Sequence, residues 1–150
     1  TTEQLPSSPA TPSWSCRIKA SRAVIREACC SCGALTVLCE GDPRGGGACS
    51  CLDCQRRTGS AFGWAAVYDE DKVEIRGAST VWRRPADRGG DVEQHFCPTC
   101  GSTVWWRRPS PGVIVVAGGC FGDKDFPAPR RAVFAERRHA WVCFNGVQDA

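Results

Sequence analysis

The sequence has 150 residues, of which 42% are hydrophobic, and a formal net charge of +3. That length fits one compact domain, and that apolar content excludes a chain that is disordered over most of its length. The small charge gives no ground for a nucleic-acid or membrane partner. Twelve cysteines are an unusual number for such a domain, and they indicate either a disulfide framework or a set of metal ligands.

The first part of the chain, residues 1–21, is rich in Ser, Thr and Pro and is predicted to be a disordered lead-in. It has neither the basic start nor the apolar core of a secretory signal, so we expect a cytoplasmic protein in a reducing compartment. Residues 22–150 are predicted to form a single domain. The longest strongly apolar run, at 113–117, is far too short to cross a bilayer, so no membrane partner is expected.

The remaining sequence is typical of an all-β domain. Valine, tryptophan, phenylalanine and glycine are frequent, leucine occurs four times, and short β-type segments alternate with Gly, Pro, Asp or Ser clusters. Strands are predicted at 23–28, 34–39, 61–68, 72–76, 80–84, 92–96, 103–107, 113–117 and 132–135. Residues 52–57 are predicted to form one short helical turn. The pattern predicts antiparallel sheets in a sandwich-like or barrel-like fold.

Two cysteine pairs far apart in the chain have the spacing of metal-binding turns. Each pair is followed by a glycine that lets the chain curl back, so that backbone N–H groups approach the sulfurs. Strand pairing can bring two such turns together around one tetrahedral zinc, which would be closed and structural. The four predicted ligands are Cys30, Cys32, Cys97 and Cys100.

A third group, Cys49, Cys51 and Cys54, offers three sulfurs and no obvious fourth ligand. Three protein ligands with an open position are typical of a catalytic zinc site, and soft thiolates favour zinc over magnesium or calcium, with iron a weaker competitor. Disulfides are the weaker interpretation, since C-x-C neighbours make poor partners and no export signal is visible. A second site that holds no metal remains an alternative.

The other cysteines are predicted to be buried hydrophobes or free thiols, with Cys29 packed on the strand face opposite to Cys30. They are Cys16, Cys29, Cys39, Cys120 and Cys143. Cys120 lies among glycines and could approach a site as a late fourth ligand, although a structural loop is favoured. His95 is predicted to be a partly exposed strand residue, and His139 a solvated one.

The cysteine pattern, with the segments Cys54-Gln55-Arg56-Arg57-Thr58-Gly59-Ser60 and Phe96-Cys97-x-x-Cys100-Gly101-Ser102, resembles the glutathione-dependent formaldehyde-activating enzyme and centromere protein V family. The resemblance runs from about residue 28 to residue 141. It implies a tent-like, zinc-bound all-β fold with one structural zinc and a second zinc at the three-cysteine group. The activity it implies is condensation of formaldehyde with glutathione, which is a carbon–sulfur lyase reaction in reverse.

Such chemistry needs a thiol and an aldehyde as partners, with cationic or N–H donors beside the metal for the carboxylates of glutathione. The candidates for substrate binding are Gln55, Arg56, Arg57, Gly59 and Ser60, whereas Phe62, Trp64, Trp105 and Trp106 are expected in the core or on a sheet face. The catalytic centre is expected at the Cys54 zinc site, and the sequence identifies no general acid or base.

The alternative hypothesis is a non-catalytic zinc module that binds a protein or nucleic acid, as centromere protein V relatives are associated with chromosomes and microtubules. The chain lacks the Lys/Arg-rich extension that such binding favours. Seven thiolates and two zinc ions would together contribute −3 and bring the formal charge close to zero. No nucleic-acid partner is therefore expected.

Overall fold

The computed structural model describes residues 24–87 and 89–150. The predicted lead-in at 1–21, Cys16 and the first residue of the first predicted strand lie outside the described residues. None of the helices in the described ranges has the length and apolar character needed to span a membrane.

The described ranges contain eleven strands and one α-helix, so the fold is mostly β, as predicted. The strands are β1 (Ile25–Cys29), β2 (Thr36–Glu40), β3 (Gly45–Cys49), β4 (Gly63–Asp69), β5 (Val73–Arg76), β6 (Thr80–Pro85), β7 (Asp91–Phe96), β8 (Thr103–Arg107), β9 (Val113–Ala117), β10 (Arg131–Val133) and β11 (Gln148–Asp149). The α-helix, α1, spans Leu52–Thr58, and single 3₁₀ turns span Glu70–Lys72, Gly118–Phe121 and Ala135–Arg137.

The strands described form two sheets, a three-stranded one in the order β1-β2-β5 and an eight-stranded one in the order β11-β10-β3-β4-β9-β8-β7-β6. Neighbouring strands are antiparallel except around β10, which pairs in parallel with both β3 and β11. The prediction included neither this parallel pairing nor the strands β3 and β11.

β3 is a strand that its own sequence does not favour, because Gly45, Gly46 and Gly47 have no side chains to pack. Its neighbours require this glycine content. A Cβ at Gly46 would lie 2.2 Å from the Ala65 carbonyl oxygen, and one at Gly47 would lie 3.1 Å from the Arg131 oxygen. Close approach of β4 and β10 therefore makes β3 a strand, and β3 ends at Cys49.

The main core lies between the two sheets. Leu35, Val37 and Cys39 of the small-sheet side pack with residues of the large sheet, and all three are 0% exposed. The large-sheet members include Tyr68, Val104, Ile114 and Val116. Burial of a side chain of this size contributes about 1.5–3 kcal/mol, so this layer holds the two sheets together through apolar contact.

Candidate metal centres and the cleft beside them

The four-cysteine cluster joins the two sheets. Cys30 follows β1 of the small sheet and Cys97 follows β7 of the large sheet. The sulfurs of Cys30, Cys32, Cys97 and Cys100 all lie within 4.8 Å of one another. Cys30 and Cys97 are buried, whereas Cys32 and Cys100 are exposed.

The four sulfurs fit a zinc ion. The Cys32 sulfur lies 3.5 Å from that of Cys30 and 3.6 Å from that of Cys97. A tetrahedral zinc with Zn–S bonds of about 2.3 Å holds its sulfurs about 3.8 Å apart. The Leu35 N–H donates to the Cys30 sulfur at 3.2 Å. A hydrogen bond from the Cys100 N–H stabilises the Cys97 thiolate and so lowers the pKa of the Cys97 thiol.

Both turns of this cluster have the glycine geometry that the sequence predicts. Gly33 and Gly101 have φ values of 78° and 76°, which strain other residues, and their N–H groups donate to the Cys30 and Cys97 carbonyls. Ser102 connects the turns, because its hydroxyl accepts from the Ser31 N–H at 3.1 Å and lies 2.8 Å from the Ser31 hydroxyl. The same hydroxyl, by hydrogen bonding, lowers the pKa of Cys100 to about 5.

The three-cysteine cluster lies where β3 runs into α1. The sulfurs of Cys49, Cys51 and Cys54 lie within 4.8 Å of one another. Cys51 is the N-cap of α1, where its sulfur accepts the Cys54 N–H at 3.4 Å. Three convergent soft donors suit zinc better than a hard cation, so this group also fits the metal that the sequence predicts.

The charge of the cluster is concentrated on Cys54. The hydrogen bond with Cys49 and, next among the favourable contacts, the Arg57 guanidinium lower the pKa of the Cys54 thiol to about 5. The pKa of Cys49 is raised, first by its hydrogen bond with Cys54 and then by burial. The cluster thus holds a thiolate beside a cation.

Gly63 on β4 leaves the space that Cys54 and Arg57 occupy. A Cβ at this position would lie 2.7 Å from an Arg57 Nη atom and 3.4 Å from the Cys54 sulfur. Gly63 also pairs with Cys49 across β3 and β4. Sequence reasoning missed this residue, because nothing in the local pattern sets it apart from the other glycines.

We expect Gly63→Ala to lower the metal content of the three-cysteine cluster by about half or more, since the added methyl group displaces Arg57 and crowds Cys54. The matched control is Gly119→Ala, where a Cβ meets nothing within 4 Å. Zinc per chain measured by mass spectrometry checks this. Equal zinc content in the two variants would contradict it.

Gln55 fixes α1 against the segment after β10. Its Nε2 donates to the Ser50 carbonyl at 2.8 Å and to the Arg137 carbonyl at 3.1 Å, and its Oε1 lies 3.1 Å from His139 Nε2. All of its amide bonds are thus made within the protein, which leaves Gln55 a structural connection. His139 is exposed, as predicted.

The other candidates for substrate binding separate into different positions. Arg57 lies over the Trp106 ring, 4.4 Å from its centroid. Gly59 ends α1 in the left-handed region at φ 60°. Arg56 and Ser60 are exposed, and the Ser60 N–H donates to the Gln55 carbonyl at 3.3 Å.

An open cleft of about 500 Å³ has Cys100 of the four-cysteine cluster in its wall, and none of Cys49, Cys51 and Cys54 lines it. It is lined by Arg57, Thr58, Phe62, Trp64, Cys100, Gly101, Ser102, Thr103, Ala117, Gly119 and Cys120. Arg57 connects it to the three-cysteine cluster through Cys54, and Cys100 belongs to the four-cysteine cluster. Of the five candidates from the sequence, the cleft contains Arg57 alone.

Trp64 lies on strand β4 and packs against the main core, as expected, and together with Phe62 it also lines the cleft. Trp105 and Trp106 are buried. The expectation for His95 was wrong. His95 is buried, at 8% exposure, because its ring stacks on the Trp105 ring with the centroids 3.5 Å apart. Its Nδ1 lies 2.9 Å from the Ser79 hydroxyl, and its Nε2 lies 2.9 Å from a Glu93 carboxylate oxygen. The pattern of alternation along β7 did not reveal this stacking.

The remaining cysteines in the described ranges, Cys29, Cys39, Cys120 and Cys143, lie outside both clusters. None of the eleven cysteines in the described ranges forms a disulfide. Cys39 is buried, Cys143 is exposed, and Cys29 is half-buried outside both clusters. Cys120 lies in the cleft wall, where burial raises the pKa of its thiol to about 11, and its sulfur lies 3.7 Å from the Thr103 carbonyl oxygen.

Phe134 has a left-handed backbone next to the three-cysteine cluster. Its φ is 58°, which in a bulky residue stores about 1–3 kcal/mol of strain. The preceding residue, Val133, pairs with Cys49 and accepts the Ser50 N–H at 3.1 Å. The chain therefore turns sharply at Phe134, directly after the residue that contacts the three-cysteine loop.

Comparison with known proteins places these features in a family. The profile of the glutathione-dependent formaldehyde-activating enzyme family matches residues 25–137, a range that includes all seven clustered cysteines. Among solved structures, a Rhodobacter sphaeroides protein matches with a TM-score of 0.50 at 25% sequence identity, over 63% of this chain and 85% of that chain. No curated protein matches the sequence significantly.

Proposed function

Because the chain belongs to the glutathione-dependent formaldehyde-activating enzyme family, we propose that it is a zinc-dependent enzyme of the carbon–sulfur lyase type. Its reaction would form or cleave the adduct of a small thiol with formaldehyde or a related aldehyde. The observation that carries the proposal is the group of three convergent cysteines, of which Cys54 contacts Arg57 in the wall of the open cleft. Three protein ligands at such a position are typical of catalytic rather than structural zinc.

The reaction is balanced without an oxidant. The substrate sulfur forms a bond to the aldehyde carbon, the C=O double bond becomes a C–OH bond, and the thiol proton ends on that oxygen. A zinc held by Cys49, Cys51 and Cys54 would supply a position for the substrate thiol and the acidity that removes its proton.

The residues of the chain bind and orient the reactants. The Arg57 guanidinium is rigid and always charged, so it can pair with a substrate carboxylate while it contacts Cys54. Phe62 and Trp64 offer apolar walls that exclude water from one part of the cleft. The four-cysteine cluster would hold a second, structural zinc. Cysteines without disulfides in the described residues suit the cytoplasmic location that we propose.

The alternative, a non-catalytic zinc module that binds a protein or nucleic acid, receives less support from the surface. Many of the described arginines pair with nearby carboxylates. They are Arg26, Arg44, Arg76, Arg83, Arg84, Arg107, Arg137 and Arg138. We therefore keep the enzyme as the proposed function.

Purified protein is expected to contain two zinc ions per chain and to accelerate the exchange between free and hydroxymethylated thiol at least about a hundredfold, within the range that metal-assisted catalysis supplies. Exchange spectroscopy by NMR with formaldehyde and a panel of thiols measures this rate. The control is protein treated with a chelator until it retains one zinc per chain and an unchanged circular dichroism spectrum. A rate equal to the uncatalysed one for every thiol would overturn the proposed function.

A further inference from the structure

The cleft contains a single fixed positive charge. Of the side chains that line it in the described residues, Arg57 alone carries a full charge apart from the cysteine sulfurs. No aspartate, glutamate, lysine or histidine belongs to this wall. A ligand with one carboxylate therefore finds one partner here, whereas an ammonium group finds no carboxylate.

Arg57 contacts the Cys54 thiolate on one side and has no carboxylate partner among the described residues. It makes none of the ion pairs with carboxylates that occupy other arginines of the described chain. Its guanidinium is stacked on Trp106, which holds the plane of the group in place and leaves donors at its edge.

The hydroxyl groups of the cleft wall are largely used by the protein itself. Thr58 Oγ1 donates to the Cys54 carbonyl at 2.8 Å and lies 3.1 Å from the Phe62 carbonyl. Ser102 Oγ is shared among the Ser31 N–H, the Ser31 hydroxyl and Cys100. A peptide ligand would thus find the Thr58 and Ser102 hydroxyls already engaged within the protein.

The rest of the wall is apolar or rich in sulfur. Phe62 and Trp64 supply aromatic surface, and Ala117 and Gly119 add no polar side chain. The Cys100 sulfur belongs to a cluster that keeps a net charge of −2 when four thiolates hold one zinc. This charge opposes a second carboxylate on the ligand, while Arg57 compensates for the first.

We propose that the cleft selects a small thiol with one carboxylate and an apolar or aromatic body over zwitterionic peptides such as glutathione. The proposal rests on the proposed function and specifies its substrate class. The thiol would be held by its carboxylate at Arg57 and by its apolar body at Phe62 and Trp64.

Three thiols with formaldehyde test the selectivity. They are a sulfanyl-phenylpropanoate, its neutral carboxamide and glutathione. We expect kcat/KM for the carboxylate to exceed the value for the amide about tenfold, as one charge-assisted pair gives, and to exceed the value for glutathione by at least as much. Equal or higher kcat/KM for glutathione would overturn the proposal while leaving the enzyme activity established.

The role of Arg57 is tested by the ratio of carboxylate to amide kcat/KM, because any general damage to the metal site cancels in a ratio. Arg57→Gln should lower the ratio about tenfold to near unity, and Arg57→Lys should leave an intermediate value. The matched control, Arg56→Gln, changes an exposed neighbour outside the cleft and should keep the ratio. An unchanged ratio in Arg57→Gln would overturn the proposal.

Binding of ligands without a thiol gives a readout that does not depend on turnover. Isothermal titration should give a Kd for phenylpropanoate about tenfold below those of its amide and of S-methylglutathione, and Arg57→Gln should abolish the difference. Equal Kd values for the three ligands would overturn the selectivity. If no thiol is accelerated, the proposed function fails and this comparison still decides which ligand the cleft prefers.

Discussion

Cys97→Ser should lower the melting temperature by about 10–20 °C and remove one zinc per chain. Cys97 is 0% exposed and lies at the end of β7, where the four-cysteine cluster joins the large sheet to the small one. Metal binding at a closed structural site contributes directly to the free energy of folding. A loss of about 5 kcal/mol lowers the melting temperature of a domain of this size by about 10–20 °C.

Cys39→Ser is the matched control for Cys97→Ser, since Cys39 is also 0% exposed and belongs to neither cluster. It replaces the same buried sulfur by a hydroxyl, which costs about 1–3 kcal/mol for an unpaired polar group, and should retain both zinc ions. Differential scanning calorimetry and metal analysis separate the two effects. The expectation fails if both variants melt at the same temperature with the same zinc content.

Cys54→Ser should reduce the rate of thiol–formaldehyde exchange about a hundredfold or more, while the fold persists. Cys54 supplies one of three sulfurs in its cluster and is the one beside Arg57. Serine binds zinc far more weakly, so the second zinc should be lost and the metal-dependent acceleration with it. The four-cysteine cluster, which connects the sheets, is unaffected by this change.

Exchange spectroscopy by NMR, zinc analysis and the melting temperature together check the Cys54→Ser result. Cys143→Ser is the control, because Cys143 is an exposed thiol outside both clusters and should leave activity and zinc content unchanged. Full activity in Cys54→Ser would show that the three-cysteine cluster takes no part in the reaction.

The sequence predicted most of what depends on spacing. Cysteines two and three residues apart indicated both clusters, with a following glycine at each turn of the four-cysteine one. The helical turn predicted at 52–57 is α1 at Leu52–Thr58. These features are local, because a turn and a cap are fixed by a few neighbouring residues. The pairing of the strands then brings the two distant turns together, so that their four sulfurs have the spacing of a tetrahedral site.

What depends on distant neighbours could not be predicted. The strand β3 owes its existence to β4 and β10, since glycine has low strand propensity of its own. The wall of the cleft combines α1 with residues such as Thr103 and Gly119 that are far from it in sequence. Nothing in the sequence around Gln55 shows that its amide is fully bonded within the protein.

The parallel pairing of β3 with β10 has a consequence for the order of synthesis. A growing chain exposes β3 and the metal-binding loop after it long before β10 has left the ribosome. In that interval β4 covers one edge of β3 and the other edge is open, with glycines that offer no charged side chain to prevent pairing with another chain. The second half of the molecule thus completes and protects a site whose ligands are all made in the first half.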